Sequence, residues 1–200
     1  MQEQVDWILS GGLRDYPATT QPALGCLPLP ANLDSLFNAK KRSHDKPVSI
    51  GATSLEQVSD YVIIPTNLES FLSHFERGAL TILLSARTDL DHRLGTQGIA
   101  VRILDHPVAR ELVGQTGPLS ATSANKSGTD PLNSCCEAAL ELGGRNKGIN
   151  WIDATCSGGL PSTLISWPPQ IGPNESRAPK ILREGIVPSR EVISAWKNLI

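Results

Sequence analysis

The sequence predicts a single α/β domain, residues 1–200, built on a twisted mixed sheet flanked by helices. Three observations predict it. Segments with helical spacing of apolar residues alternate with short strand-like runs. The 200 residues can enclose one compact core, and 40% hydrophobic residues with interspersed charges fit a globular chain. The sequence shows no internal repeat, low-complexity tract or linker-like stretch that would divide it.

The elements follow in order. Val5, Ile8 and Leu9 have helical spacing, and Gly11-Gly12 supplies a stop. Leu33, Leu36 and Phe37 mark a second helix. It delivers Lys40 and Arg42 near its C-terminal end, a solvated position where the helix dipole favours cations. Ser54–Gln57 and Thr66–Glu69 read as capping boxes. The second precedes a helix with Phe71, Leu72 and Phe75, which Gly78 stops. Strands are predicted at Leu80–Ala86, Ile99–Leu104, Pro118–Ala121, Ile149–Asp153, Thr163–Trp167 and Lys180–Arg183. His106-Pro107 opens a short helix carrying Val108, Leu112 and Val113, since proline suits a first helical turn. A final amphipathic helix from Ser189 has Val192, Ile193, Trp196 and Leu199 on its apolar side. Pro168–Pro179, rich in proline and polar residues, is expected to cross the surface.

Composition narrows the function. A net charge of −2 argues against broad, non-specific nucleic-acid binding, although a local basic patch stays open. No apolar run approaches the ~20 residues needed to span a bilayer. The polar start, Met1 to Gln4, lacks a signal-peptide pattern, so the cytoplasm is the expected compartment. Cys26, Cys135, Cys136 and Cys156 match no zinc spacing and read as reduced thiols. His44, His74, His92 and His106 have no metal-ligand spacing either, so no protein-held metal is expected. Neither a P-loop nor a Rossmann glycine fingerprint is present.

Four segments carry groups suited to phosphate. Pro118 to Gly128 is a run of small hydroxyl residues with an amide, including Ser123, Asn125 and Ser127. Lys40-Lys41-Arg42 with Lys46 forms a cationic cluster. Gly158 to Thr163 leads into a strand, and Ile181 to Gly185 contains Arg183. Hydroxyls and amides hydrogen-bond phosphate oxygens, and cations neutralise them. Each segment alone is also explained as turn chemistry or a solvated helix end. Arg102 either serves such a site or pairs with Asp105.

In chain order these segments resemble the YrdC-like family, the threonylcarbamoyl-AMP synthases. The resemblance rests on Tyr16-Pro17 through Leu24-Gly25-Cys26, Lys40-Lys41-Arg42, Gly78-Ala79-Leu80-Thr81, and Ala100-Val101-Arg102 with His106-Pro107. It continues through Ser123-Ala124-Asn125-Lys126-Ser127-Gly128, Pro161-Ser162-Thr163-Leu164 and Arg183-Glu184-Gly185. It implies a YrdC-like fold and synthesis of threonylcarbamoyl-adenylate and pyrophosphate from L-threonine, bicarbonate and ATP. It further implies a downstream complex that transfers the threonylcarbamoyl group to tRNA, and weak direct tRNA binding is compatible with it. Mg²⁺ would accompany ATP. By motif match, Lys40 and Arg42 are the catalytic phosphate grips, and Ser123, Asn125 and Arg183 join them in binding ATP. Thr20 and Ser162 fall where the family lines its threonine pocket.

The chain departs from the family pattern P-T-E-T-V-Y-G, reading Pro17-Ala18-Thr19-Thr20-Gln21-Pro22-Ala23. It also has Arg77-Gly78-Ala79 where the family has P-G-P. Two other readings therefore stand beside the synthase. One is a divergent relative that binds nucleotide or RNA without threonine-dependent synthesis. The other is a synthase for a different amine.

Overall fold

The computed structural model describes residues 1–126, 128–168 and 178–199, so Ser127 and most of Pro168–Pro179 lie outside the described residues. The strands are β1 (Leu13–Pro17), β2 (Pro22–Gly25), β3 (Ser49–Ala52), β4 (Leu80–Leu84) and β5 (Ile99–Ile103), then β6 (Leu119–Ser123), β7 (Ile149–Trp151), β8 (Thr163–Ser166) and β9 (Lys180–Arg183). The α-helices are α1 (Gln2–Leu9), α2 (Pro30–Lys40), α3 (Leu68–Leu72), α4 (Pro107–Thr116), α5 (Cys135–Glu141) and α6 (Ser189–Leu199). The strands form one sheet in the order β7-β1-β2-β6-β3-β5-β4-β8-β9. β1–β7, β3–β5 and β4–β8 pair in parallel, and the remaining neighbours are antiparallel. The mixed α/β sheet is the predicted class.

Alternation along the strands divides the core in two. Leu13, Leu24, Ile50 and Val101 join a large cluster with Leu33 and Phe37 of α2, Phe71 of α3 and Trp196 of α6. There Trp167 packs edge-on against both Phe71 and Trp196, at 5.2 Å between ring centroids. Tyr16, Ala23 and Leu119 join a smaller cluster with Val5 and Ile8 of α1 and Leu112 of α4. Ala18, Ala23 and Leu104 of that smaller cluster also line a cavity of about 410 Å³. The face that α1 and α4 cover is thus the face that opens into a cavity.

The predicted helices at Val5–Leu9, Leu33–Phe37, Val108–Val113 and from Ser189 are all present. His106 caps α4, its Nδ1 accepting from the Val108 N–H at 3.3 Å. The two capping boxes fare differently. Ser54 Oγ accepts from Gln57 N at 3.3 Å, but only one 3₁₀ turn follows, Glu56–Val58. Thr66 caps nothing: α3 starts after Asn67 with no side-chain cap, and it ends at Leu72, short of Phe75 and Gly78. α5 was not anticipated, although Ser134-Cys135-Cys136-Glu137 carries the box spacing and Ser134 Oγ accepts from Glu137 N at 3.3 Å.

All six predicted strands exist, with ends shifted by up to two residues. β1, β2 and β3 were not predicted. β1 is buried along its whole length and holds Arg14, Asp15 and Pro17, so it shows no polar–apolar alternation. β2 begins with proline, which donates no ladder hydrogen bond, and β3 is four residues containing Gly51. Among the described residues, no helix is long and apolar enough to cross a membrane.

Candidate active site

The cavity is lined by residues of β2, β3, β4, β5, β6, β8 and β9, and all seven sequence motifs contribute to its wall. Arg42 follows α2, which ends when Lys41 takes a left-handed conformation (φ 50°) and turns the chain back. Arg42 lines the cavity wall, anchored by donation from Nε to the Lys46 carbonyl at 2.6 Å and from Nη2 to the Pro47 carbonyl at 3.0 Å. Arg102 projects from β5 into the same cavity, its Nε donating to the Gly78 carbonyl at 2.9 Å. Arg183, at the end of β9, reaches the cavity from the opposite side and donates to the Ser162 carbonyl at 2.8 Å.

Among the described residues, no carboxylate lines this cavity and none lies within 4 Å of these three guanidiniums. Burial holds all three below the ordinary arginine value, with Arg102 brought down to about 10, so they stay charged at neutral pH. Arg102 is open to the cavity yet surrounded by protein, and this arrangement desolvates it. Arg102 therefore belongs to the cavity wall, and it makes no ion pair with Asp105. Three cations with no carboxylate partner among the described residues surround one enclosure in a chain of net charge −2, an arrangement that can attract an anion.

The polar groups between them come from β4, β6 and the loop into β8. Thr81 Oγ1 and Ser162 Oγ share a hydrogen bond of 2.7 Å on the cavity wall. Thr20 is not on that wall; its hydroxyl donates to the Leu160 carbonyl at 3.0 Å and so supports the loop that presents Ser162. Ser123 and Asn125 both line the cavity, with Ser123 Oγ donating to Asn125 Oδ1 at 2.6 Å. Asn125 Nδ2 donates onward to the Thr129 carbonyl, closing the turn.

Lys40 is placed differently from the sequence expectation. It is no solvated helix end: the residue is 4% exposed and does not line the cavity. Its ammonium donates to the carbonyls of Ser123 and Asn125, the latter at 2.7 Å. Burial, then the charge of Arg42, bring it down to about 8. The Lys-x-Arg spacing thus sends one cation beneath the Ser123–Asn125 turn and the other to the cavity.

Two motifs lock together through one hydroxyl. Thr163 Oγ1 donates to the Val187 carbonyl at 2.6 Å and accepts from Gly185 N at 2.9 Å and Val187 N at 3.0 Å. Gly185 packs so closely on the preceding loop that a Cβ would lie 2.1 Å from the Pro161 carbonyl oxygen. This junction fixes Arg183 against Ser162. Thr163→Val keeps the shape and removes three buried hydrogen bonds. Chemical unfolding should show a loss of about 2–3 kcal/mol. A loss under about 0.5 kcal/mol would mean that the junction contributes little.

Fold and site together define an α/β protein with a cationic, hydroxyl-lined cavity. The chain belongs to the Sua5/YciO/YrdC family: the family model, described as telomere recombination, matches residues 6–185. It is 31% identical over 163 residues to threonylcarbamoyl-AMP synthase of Bacillus subtilis, covering 78% of this chain and 44% of that protein. A putative threonylcarbamoyl-AMP synthase of Methanocaldococcus jannaschii is 27% identical over 159 residues, 78% of this chain and 71% of that protein. The crystal structure of P. abyssi Sua5 complexed with L-threonine superimposes with a TM-score of 0.83 at 27% identity, over 97% of this chain and 56% of that one. E. coli YciO shares the fold, with a TM-score of 0.75 at 20% identity over 95% of this chain and 91% of that one. This chain spans less than half of the B. subtilis relative and little more than half of the P. abyssi protein.

Proposed function

We propose that this chain carries the synthase reaction: L-threonine, bicarbonate and ATP give threonylcarbamoyl-adenylate and pyrophosphate, for threonylcarbamoyladenosine modification of tRNA in the cytoplasm. The observation that carries this reading is the convergence of Arg42, Arg102 and Arg183 on one cavity, lined by no carboxylate among the described residues, with the Thr81–Ser162 hydroxyl pair and the Ser123–Asn125 turn. Its volume of about 410 Å³ falls in the range of small-ligand sites. The named relatives supply the substrate class.

In this reading the threonine amine takes up bicarbonate, releasing water and giving a carbamate. A carbamate oxygen then attacks the α-phosphorus of ATP, the bond to the β-phosphate oxygen breaks, and pyrophosphate leaves. Negative charge gathers on phosphate oxygens throughout, so positioning and electrostatic stabilisation carry the step. Arg42 and Arg183 face the phosphates, with Ser123 and Asn125 hydrogen-bonding the nucleotide. Arg102 receives the amino-acid carboxylate, for which a guanidinium fork is well shaped. Ser162 faces the threonine side chain, and Thr20 acts by holding its loop. Since no carboxylate among the described residues lines the cavity, Mg²⁺ would arrive on the ATP phosphates and screen their charge. The adenylate then passes to a separate transfer complex that acts on tRNA.

A second reading has one specific observation in its favour. Ala18, Gln21, Pro22 and Ala23, where the chain departs from the family pattern, all line the cavity. They are placed to change which amine is accepted. Purified protein incubated with ATP, labelled bicarbonate and each amino acid in turn tests both readings. Threonine-dependent pyrophosphate release with labelled adenylate is the expected result. Release with another amino acid instead would assign a different amine, and ATP binding with no release for any of them would leave a nucleotide-binding relative without synthesis.

A further inference from the structure

We infer that Lys40 is a positioning residue: it acts on the nucleotide through the Ser123–Asn125 turn and does not itself touch phosphate. This rests on the nucleotide reading of the cavity and departs from the motif-based assignment of Lys40 as a phosphate grip. Three observations carry it.

The first is orientation. The Lys40 ammonium donates to two backbone carbonyls, Ser123 and Asn125, that flank Ala124 in the turn. Lys40 thus meets the turn through its backbone, whereas Ser123 and Asn125 are themselves part of the cavity wall. The second is access. Lys40 is almost wholly enclosed and is absent from the cavity lining, while Arg42, two residues on, is part of it. Lys40 borders instead a separate small cavity of about 170 Å³ behind the turn, with Lys41, Lys126, Glu141 and Lys147 around it. The third is the fit of the job to the group. The turn leaves β6, and its other ties among the described residues are local or at its ends: Ala124 N donates to the Pro22 carbonyl at 3.0 Å, Thr129 N and Oγ1 to the Lys126 carbonyl at 3.2 and 3.1 Å, Asn125 Nδ2 to the Thr129 carbonyl, and Lys126 lies 3.9 Å from Glu141. An ammonium can satisfy two carbonyls at once from below, and charge-assisted bonds are the stronger kind. Without it, two carbonyls face a protein interior unpaired, and the turn must move to regain partners.

This makes a distinction that affinity measurements can read. If Lys40 works through the turn, its loss matters only while the turn presents its side chains. K40M keeps the length of the side chain and removes its donors. ATP binding, measured by titration calorimetry on the wild type, K40M, S123A/N125A and the triple variant, separates the two modes. K40M should weaken ATP about tenfold in the wild-type background and less than about twofold in the S123A/N125A background. An equal tenfold loss in both backgrounds would mean direct contact and would overturn the inference. Hydrogen exchange of the ligand-free protein supplies a readout independent of ATP. The Ala124 and Thr129 amides should exchange at least tenfold faster in K40M, with the Val101 amide in mid-sheet unchanged. Unchanged protection at Ala124 and Thr129 overturns the positioning role. Should the wild type bind no ATP, the synthase reading fails and the exchange experiment alone decides for Lys40. If K40M does not fold, K40Q, which keeps a donor in a similar volume, carries the same two readouts with smaller changes.

Discussion

Arg102→Leu is expected to lower kcat/KM for the amino acid by roughly 10²–10³, or about 3–4 kcal/mol of transition-state stabilisation. On β5, alternation sends Val101 to the core and both Ala100 and Arg102 to the cavity. Its Nε bond to the Gly78 carbonyl fixes the guanidinium plane. Gly78 is available for this because it adopts φ +79° and lies against Thr19, whose hydroxyl oxygen would be 2.3 Å from a Cβ there. Charged, desolvated and without a carboxylate partner within 4 Å among the described residues, Arg102 leaves its electrostatic complement to the ligand. The loss should appear mainly as raised KM for the amino acid, with ATP affinity changed less than threefold. Arg42→Ala and Arg183→Ala should show the reverse, weakening ATP first. If Arg102→Leu weakens ATP and the amino acid equally, the division of the cavity between the two substrates is wrong.

Much of this site was legible in the sequence as order and little of it as geometry. Lys40, Arg42, Ser123, Asn125, Ser162 and Arg183 stand in a recognisable succession. Strands β5, β6, β8 and β9, which deliver most of the site, could be read from β-branched and apolar runs. The arms that close the cavity could not. β1 is buried on both faces, so it lacks alternation, and its charged pair Arg14-Asp15 reads as a loop. β2 begins at a proline opposite Pro17, which local propensity scores against any strand. These segments are strands because neighbours on both sides pair with them, and such long-range pairing leaves no local signature. The same limit applies to Lys40. Its position at a helix C-terminus predicts solvent, and only the return of β6 across that terminus, some 80 residues later, buries it.

Asp15→Asn is expected to stabilise the protein by roughly 2–4 kcal/mol at pH 7.5, raising Tm by about 5–15 °C. Asp15 lies in β1 with no solvent exposure, and neither carboxyl oxygen has a hydrogen-bond partner among the described residues. The Cys135 thiol is beside it without meeting hydrogen-bond geometry, and Lys40 attracts it only weakly against the cost of desolvation. Burial accordingly pushes the carboxyl up to about 9. The folded protein thus takes up a proton that the unfolded chain, near its ordinary value of about 3.9, does not hold at neutral pH. Stability from this group is complete below the unfolded value and drains away as pH rises towards 9, at up to about 1.4 kcal/mol per pH unit. Lys40 acts in the opposite sense higher up. Its folded value of about 8 lies below the ordinary 10.5, so folding releases a proton and stability recovers between those values. Wild-type stability should therefore fall from pH 5 to pH 8 with a slope approaching one proton. Asn cannot ionise, so that slope should vanish in the variant, and the two proteins should converge near pH 4. Urea unfolding at pH 5, 6.5 and 8 measures it directly. A variant that keeps the wild-type slope would show that Asp15 is ionised in the fold and paired with Lys40 instead.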